Sequence, residues 1–283
     1  MKMGVVFPQT EIGSDPAMMA KFATTAESLG YDHLLAYDHV LGANTKSRPD
    51  WQGPYTTESM FQEPFVLFGY LAGLTTTIEL VTAVIILPQR QTALVAKQAA
   101  CVDVISGGRL RLGIGLGWND VEYEALGMDF KNRGVRSEEQ IDLLRKLWRD
   151  DAISFDGKWH KINDAGLNPL PAKKHIPIWL GGTAPKVIDR VARLADGWFP
   201  FFTRELDSQI ELLKERAKAA GRDPRDIGIE CIIPSTTTPD KLKLLEDLGV
   251  THAAVVTMNL GLTSPEAHID AIDRARNVLT DAF

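Results

Sequence analysis

The chain has 283 residues, 45% of them hydrophobic and 24% charged, which is ordinary globular composition with ample material for a core. A formal net charge of −6 and a pI near 5.6 argue against nucleic acid as a main partner, because such a partner wants a basic face. The longest apolar run, residues 80–87, is strand-sized and far short of the roughly 20 residues of a membrane-spanning helix, so no membrane span is expected.

The N-terminus passes from Met1 and Lys2 straight into a strand candidate at 4–7, too soon for a signal-peptide h-region. Further strand candidates lie at 33–37, 80–86, 110–115, 178–180, 198–201, 227–232 and 253–257, each followed by an amphipathic helical pattern. Alternation of this kind predicts a parallel α/β sheet. Eight units suggest a closed (β/α)8 TIM barrel, with residues 1–283 as one domain. A barrel has polarity, and its chemistry sits at the C-terminal ends of its strands.

Helix starts are marked by Thr238-Pro239 and Ser264-Pro265, each a hydroxyl residue before a proline. Ser137-Glu138-Glu139-Gln140 reads as a capping box ahead of Ile141, Leu144 and Trp148. Leu206, Ile210, Leu213 and Ala217 form one apolar stripe, which Gly221 ends. Leu29-Gly30 before His33 and Leu248-Gly249 before His252 repeat one grammar, in which a helix stops and a strand begins two or three residues on. Such turns belong to the non-catalytic mouth.

Three segments exceed the needs of a plain barrel. Residues 38–63 and 116–132 follow strands two and four and therefore lie over the active mouth; connections of this length are often lids. Residues 151–177 follow a helix and start at the opposite mouth; within them 153–160 reads as a hairpin around Asp156-Gly157, expected as a bottom plug or an oligomer contact.

Barrel polarity also sorts the six histidines. His33 and His252 start strands, His175 precedes one, His160 falls in the hairpin and His268 on the last helix. His39, directly after strand two, reaches the catalytic mouth with Asp38 beside it. The pair either stabilises its own loop or faces a ligand, since imidazole handles protons near neutral pH. No metal is expected: there is no His-x-His pair, and one histidine at the mouth cannot supply three ligands. Cys101 and Cys231 lack metal or redox spacing and read as buried, reduced thiols of a cytoplasmic protein.

Gly113-Ile114-Gly115-Leu116-Gly117-Trp118 fails the dinucleotide fingerprint, because the last glycine position holds Trp118 and no helix follows directly. These glycines allow either tight packing or close backbone approach to a flat ligand. Gly181-Gly182-Thr183-Ala184-Pro185 ends strand five in two glycines; Thr183 then caps a helix whose N-terminus suits an anion, such as a cofactor phosphate, although a plain strand-to-helix turn looks similar.

Taken together, Tyr37-Asp38-His39, the strand 81–88, the run 103–110 leading into 113–118, Gly127-Met128-Asp129-Phe130 and Ile178-Trp179-Leu180-Gly181-Gly182 resemble the bacterial luciferase-like superfamily of flavin- and deazaflavin-dependent oxidoreductases, most closely its actinobacterial F420-dependent branch. The resemblance covers essentially the whole chain. It implies a bulge in strand three with a cis peptide at Ala83–Val84 propping the cofactor ring, and Ile85 near that ring. It further implies that Leu116, Gly117 and Trp118 run along the ribityl chain and that Gly181, Gly182 and Thr183 donate to the phosphate. Asp38 and His39 match a pair facing ring and substrate, and a homodimer is the family expectation. The sugar-phosphate dehydrogenase branch carries an acidic residue where this chain has Trp118, so that reaction is not expected here.

The expected function is an F420-dependent oxidoreductase moving hydride between reduced coenzyme and a small organic substrate. His39 would donate a hydrogen bond or proton while Asp38 fixes its orientation. Trp51, Tyr55 and Phe61 on the second loop either cover the substrate or are packing aromatics. The alternatives are an FMN-dependent monooxygenase and a non-catalytic flavin-binding barrel.

Overall fold

The computed structural model describes residues 1–280; positions 281–283 of the expected domain lie outside the described residues. In chain order the strands are β1 (Lys2–Val6), β2 (His33–Ala36), β3 (Glu79–Thr82), β4 (Ile85–Ile86), β5 (Leu110–Gly115), β6 (Ile153–Asp156), β7 (Lys161–Ala165), β8 (Ile178–Gly181), β9 (Gly197–Phe199), β10 (Gly228–Pro234) and β11 (His252–Val256). The helices are α1 (Pro16–Ser28), α2 (Pro64–Ala72), α3 (Thr92–Ser106), α4 (Asp120–Ala125), α5 (Arg133–Arg149), α6 (Pro185–Leu194), α7 (Leu206–Ala219), α8 (Pro239–Asp247) and α9 (Pro265–Thr280).

Hydrogen-bonded neighbours run β3-β2-β1-β11-β10-β9-β8-β5-β4, and pairing of β3 with β5 closes the ring. With β3 and β4 as one interrupted strand, this is the parallel (β/α)8 barrel that the alternation predicts. The interruption falls at Ala83–Val84, whose peptide bond is cis.

Strand residues alternate between two cores. One set packs outward against the helices, among them Val5, Leu34, Leu80, Leu112 and Ile178. The other fills the barrel: Val6, Leu35, Val81, Trp179, Phe199, Ala254 and Met258. Trp179 fits because two strands give way to it. A Cβ at Gly197 would lie 2.1 Å from its ring, and one at Gly228 would lie 2.4 Å away. Below it, toward the non-catalytic mouth, Arg111 sits over the Trp179 ring at 4.3 Å and pairs with Glu230 at 2.6 Å, which also meets His33 at 2.6 Å. His33 and His252 thus belong to the interior of the lower barrel.

The helix ends confirm several expectations. Gly30 (φ 76) and Gly249 (φ 96) take the left-handed conformation that terminates α1 and α8. Ser264 Oγ accepts from the Ala267 N–H at 3.2 Å, whereas Thr238 occupies its N-cap without a side-chain bond. The capping box is not one: α5 begins four residues earlier, at Arg133, and Ser137 Oγ donates back to the Gly134 carbonyl from inside the helix.

Glu139 instead does tertiary work, accepting from the N–H groups of Lys158, Trp159 and His160 at 2.8, 2.9 and 2.9 Å. That grip corrects the position of the hairpin. β6 and β7 pair antiparallel as expected, but their turn climbs the flank, and His160 Nε2 reaches Thr92 Oγ1 at 2.7 Å, at the start of α3. It is a flank clasp rather than a bottom plug. Both cysteines are free; Cys231 is buried, and Cys101 is only partly so. No described helix is long and apolar enough to cross a membrane.

Candidate active site

A cavity of about 820 Å³ opens at the C-terminal ends of the strands. The sequence-predicted residues line it with one exception: Asp38, His39, Ala83, Val84, Leu116, Gly117, Trp118, Gly181, Gly182 and Thr183 are on its wall, while Ile85 is not. Ile85 is fully buried in the outer core, and strand alternation puts Ile86 on the cavity side in its place.

At one end the backbone closes around Val84. A Cβ at Gly115 would lie 2.3 Å from Val84 Cγ2, and one at Gly181 would lie 3.1 Å from Val84 Cγ1, so only glycine leaves this apolar floor open. At the other end β8 runs into α6. Here Thr183 is not the cap: Ala184 is the N-cap residue and no side chain caps the helix. The Gly182 N–H is already committed to the Phe199 carbonyl at 3.2 Å. Pro185 has no N–H and the Val187 N–H bonds the Ala184 carbonyl at 2.7 Å, so the Thr183 hydroxyl and the Lys186 N–H are the donors left for an anion at this helix start.

His39 stands between the two long loops. Its ring packs 4.8 Å from Tyr55, 4.9 Å from Phe61 and 5.5 Å from Trp118, and Trp51 backs Trp118 at 5.7 Å. Of the second-loop aromatics, Tyr55 lines the cavity and Trp51 and Phe61 support it from behind.

The partner of His39 is a correction to the sequence reading. Asp38 turns away from it, taking Arg90 on both oxygens at 2.7 and 3.2 Å and accepting from the Ile86 N–H at 2.9 Å. Burial raises the Asp38 carboxyl against the pull of Arg90, whose second partner is Glu63 at 2.8 Å. Asp38 thus ties the end of strand two to β4. The group that meets His39 is Glu122 of α4, with Oε1 3.3 Å from His39 Nδ1 and accepting from the Val40 and Leu41 N–H groups at 2.7 and 3.0 Å.

Burial alone would raise the Glu122 carboxyl, but the hydrogen bonds from His39, Leu41 and Val40 outweigh it and hold it below its ordinary range. An ionised carboxylate only accepts, so the His39 Nδ1 that faces it carries a proton, and Nε2 meets no hydrogen-bond partner among the described residues on a ring that lines the cavity. The floor holds a second buried carboxylate, Glu230. Burial would raise it, and attraction to His33 and Arg111 brings it down to about 2.

Sequence reasoning missed Glu122, Arg90 and the mouth aromatics Phe201 and Phe202. Nothing distinguishes Glu122 from its neighbours Asp120 and Glu124 before α4 folds. The two phenylalanines follow β9 directly and were legible as strand-end residues of a barrel.

The profile of the luciferase-like monooxygenase family matches residues 1–277. An uncharacterized protein of Mycobacterium tuberculosis strain H37Rv is 34% identical over 257 residues, covering 88% of each chain. The pyrimidine monooxygenase RutA of a Bradyrhizobium species is 33% identical over 212 residues, which are 72% of this chain and 56% of that one. Among solved structures, an F420-dependent secondary alcohol dehydrogenase in complex with an F420–acetone adduct superposes with a TM-score of 0.81 at 16% identity, covering 100% of this chain and 99% of that one.

Proposed function

The chain belongs to the luciferase-like monooxygenase family, and from that premise we propose that it is an F420-dependent oxidoreductase acting on a small organic substrate. In this reading residues 1–283 form one domain of a cytoplasmic homodimer. The observation that carries it is an apolar cavity into which one oriented imidazole, His39, offers a nitrogen that has no partner among the described residues.

The residues present fit a flat ring with a charged tail. Ala83 and Val84 would back the ring, Leu116, Gly117 and Trp118 would flank the chain beyond it, and Gly181, Gly182 and Thr183 would hold the phosphate at the helix start; all line the cavity. The bound deazaflavin supplies the hydride. The protein's own part is to orient, to exclude water and to handle the proton. Adding hydride to an electron-poor carbon leaves negative charge on its neighbouring atom, and His39, protonated on both ring nitrogens, donates a hydrogen bond or proton there from Nε2 while its Nδ1 proton stays hydrogen-bonded to Glu122. Glu122 keeps the ring in one orientation. Trp118, Tyr55 and Phe61 around it keep bulk water away.

The alternative cofactor is FMN, with the chain acting as a monooxygenase; its 33% identity to the monooxygenase RutA and 26% identity over 260 residues to an FMNH(2)-dependent dimethylsulfone monooxygenase of Pseudomonas putida support that reading. Titrating the purified protein with F420 and with FMN decides between them, read by quenching of Trp118 on the cavity wall. F420 is expected to bind at least about tenfold more tightly, a difference of about 1.4 kcal/mol. Tighter binding of FMN, or turnover that requires oxygen, overturns the proposal.

A further inference from the structure

Outside the main cavity, on the barrel flank, a second cavity of about 330 Å³ opens where the start of α3, the middle of α5 and the β6–β7 turn converge. Thr92, Ala93, Arg136, Gln140, Trp159 and His160 form most of its wall. The N-cap residue of α3, Gln91, makes no side-chain cap bond, and among the described residues the Thr92 and Ala93 N–H groups meet no acceptor. A helix of 15 residues thus presents its positive end uncapped.

Arg136 is the independent sign of a ligand. It is 7% exposed, yet its Nε and Nη2 are buried with no hydrogen-bond partner. Arg90, the other arginine on this wall, is by contrast paired with Asp38 and Glu63. Arg136 has no ion pair among the described residues; burial lowers its pKa, and the more distant Tyr123 and Asp129 only partly offset that. Buried charge without a directly paired counter-charge is unfavourable, so a fold that keeps it here gains when an anion arrives.

Gln140 narrows the class of anion. Its Nε2 is committed to the Leu87 carbonyl and to Thr92 Oγ1 at 3.1 and 2.9 Å, and its buried Oε1 has no donor. A phosphate keeps one protonated oxygen part of the time at neutral pH, because its second pKa is about 6, and that oxygen can donate to Gln140. A carboxylate at this pH cannot.

We propose that this flank cavity binds a small phosphate group, held by the Arg136 guanidinium and the N-terminus of α3. The site is separate from the helix start at Thr183, and Arg90 forms the wall between it and Asp38 of the main cavity.

Calorimetric titration with inorganic phosphate and with glycerol phosphate, using acetate as the carboxylate control, tests it on the full chain. Saturable binding of phosphate is expected, with acetate much weaker. Arg136→Gln should weaken phosphate about 10- to 100-fold, as loss of a charged hydrogen-bond donor does. Trp159→Phe gives a second reading that does not depend on Arg136: the phosphate-induced change in tryptophan emission should disappear. Absence of saturable phosphate binding overturns the proposal, as does equal affinity for acetate. Phosphate binding that survives Arg136→Gln would belong to the Thr183 end of the main cavity and overturns it as well.

Discussion

At the scale of single residues, the His39–Glu122 contact decides how the mouth handles a proton. Glu122 accepts three hydrogen bonds on one oxygen, two of them from the backbone of the loop that carries His39. Hydrogen bonds to a charged acceptor contribute about 1.5–3 kcal/mol each, against about 1 kcal/mol for neutral pairs. Glu122→Gln preserves shape and can still accept from Val40 and Leu41, but it loses the charge that holds the Nδ1 proton. We expect kcat to fall about tenfold with little change in cofactor Kd. His39→Asn removes the donor itself, and kcat should fall by about 10²- to 10⁴-fold, the usual range for a general acid. Steady-state kinetics beside cofactor titration separates the two quantities. If either variant loses cofactor affinity in step with kcat, the residue binds rather than relays. Asp38 belongs to a different set: with Arg90 and Ile86 it holds β4 in place, so its loss should register first in stability.

At the scale of elements, most joints of the barrel were legible because each depends on neighbours close in sequence. The Leu29-Gly30 and Leu248-Gly249 stops, the Pro265 start and the inward stripe of α7 all follow from local rules. The misreadings share one cause. Ser137 and Glu139 satisfy a local motif, but Glu139 is claimed by a turn some 20 residues on, at a distance that periodicity does not see. Glu122 acts across 82 residues to Val40, and Arg90 across 52 to Asp38, so neither had a signal before the chain folded. The glycines at 115–117 and 181–182 were legible because barrel polarity alone assigns strand ends to the mouth.

A second long-range staple, Glu27 at the end of α1, yields a test at this scale. It accepts from the Thr76, Thr77 and Ile78 N–H groups at 2.8, 2.6 and 2.9 Å, anchoring the entry to β3. Burial would raise its pKa; the hydrogen bonds from Thr77, Ile78 and Thr76 outweigh it and lower it from 4.5 to about 2. A carboxylate depressed in the folded state adds stability that is complete above the unfolded value and is lost as pH falls through the folded one. The window is therefore from about 4.5 down to about 2. Glu27→Gln should cost about 1–2 kcal/mol in urea unfolding at pH 7, and the gap to the parent protein should narrow as pH drops toward 3. A gap independent of pH would show that the carboxylate charge contributes nothing.

At the scale of the whole molecule, the barrel leaves one face unlike the rest. Adjacent helices of such a barrel run parallel, so the start of α2 is level with the start of α3, and their ends are level too. On this pair Val66 is 70% exposed, Leu94 52% and Ile105 60%, with Tyr70 and Leu74 at 41 and 42%. Monomeric proteins rarely expose large apolar side chains over two neighbouring helices, and such a stripe can cover itself about a two-fold axis. The proposed homodimer would use this face. Light scattering after gel filtration should then return twice the 31.2 kDa chain mass. The double substitution Val66→Glu and Leu94→Glu puts like charges side by side at the end of the face where both helices start, where they must be desolvated to associate, and should return the single-chain mass with the circular dichroism spectrum unchanged. If the parent protein is monomeric at micromolar concentration, or the double variant stays dimeric, the α2–α3 face is not the contact and the dimer must be sought elsewhere on the barrel.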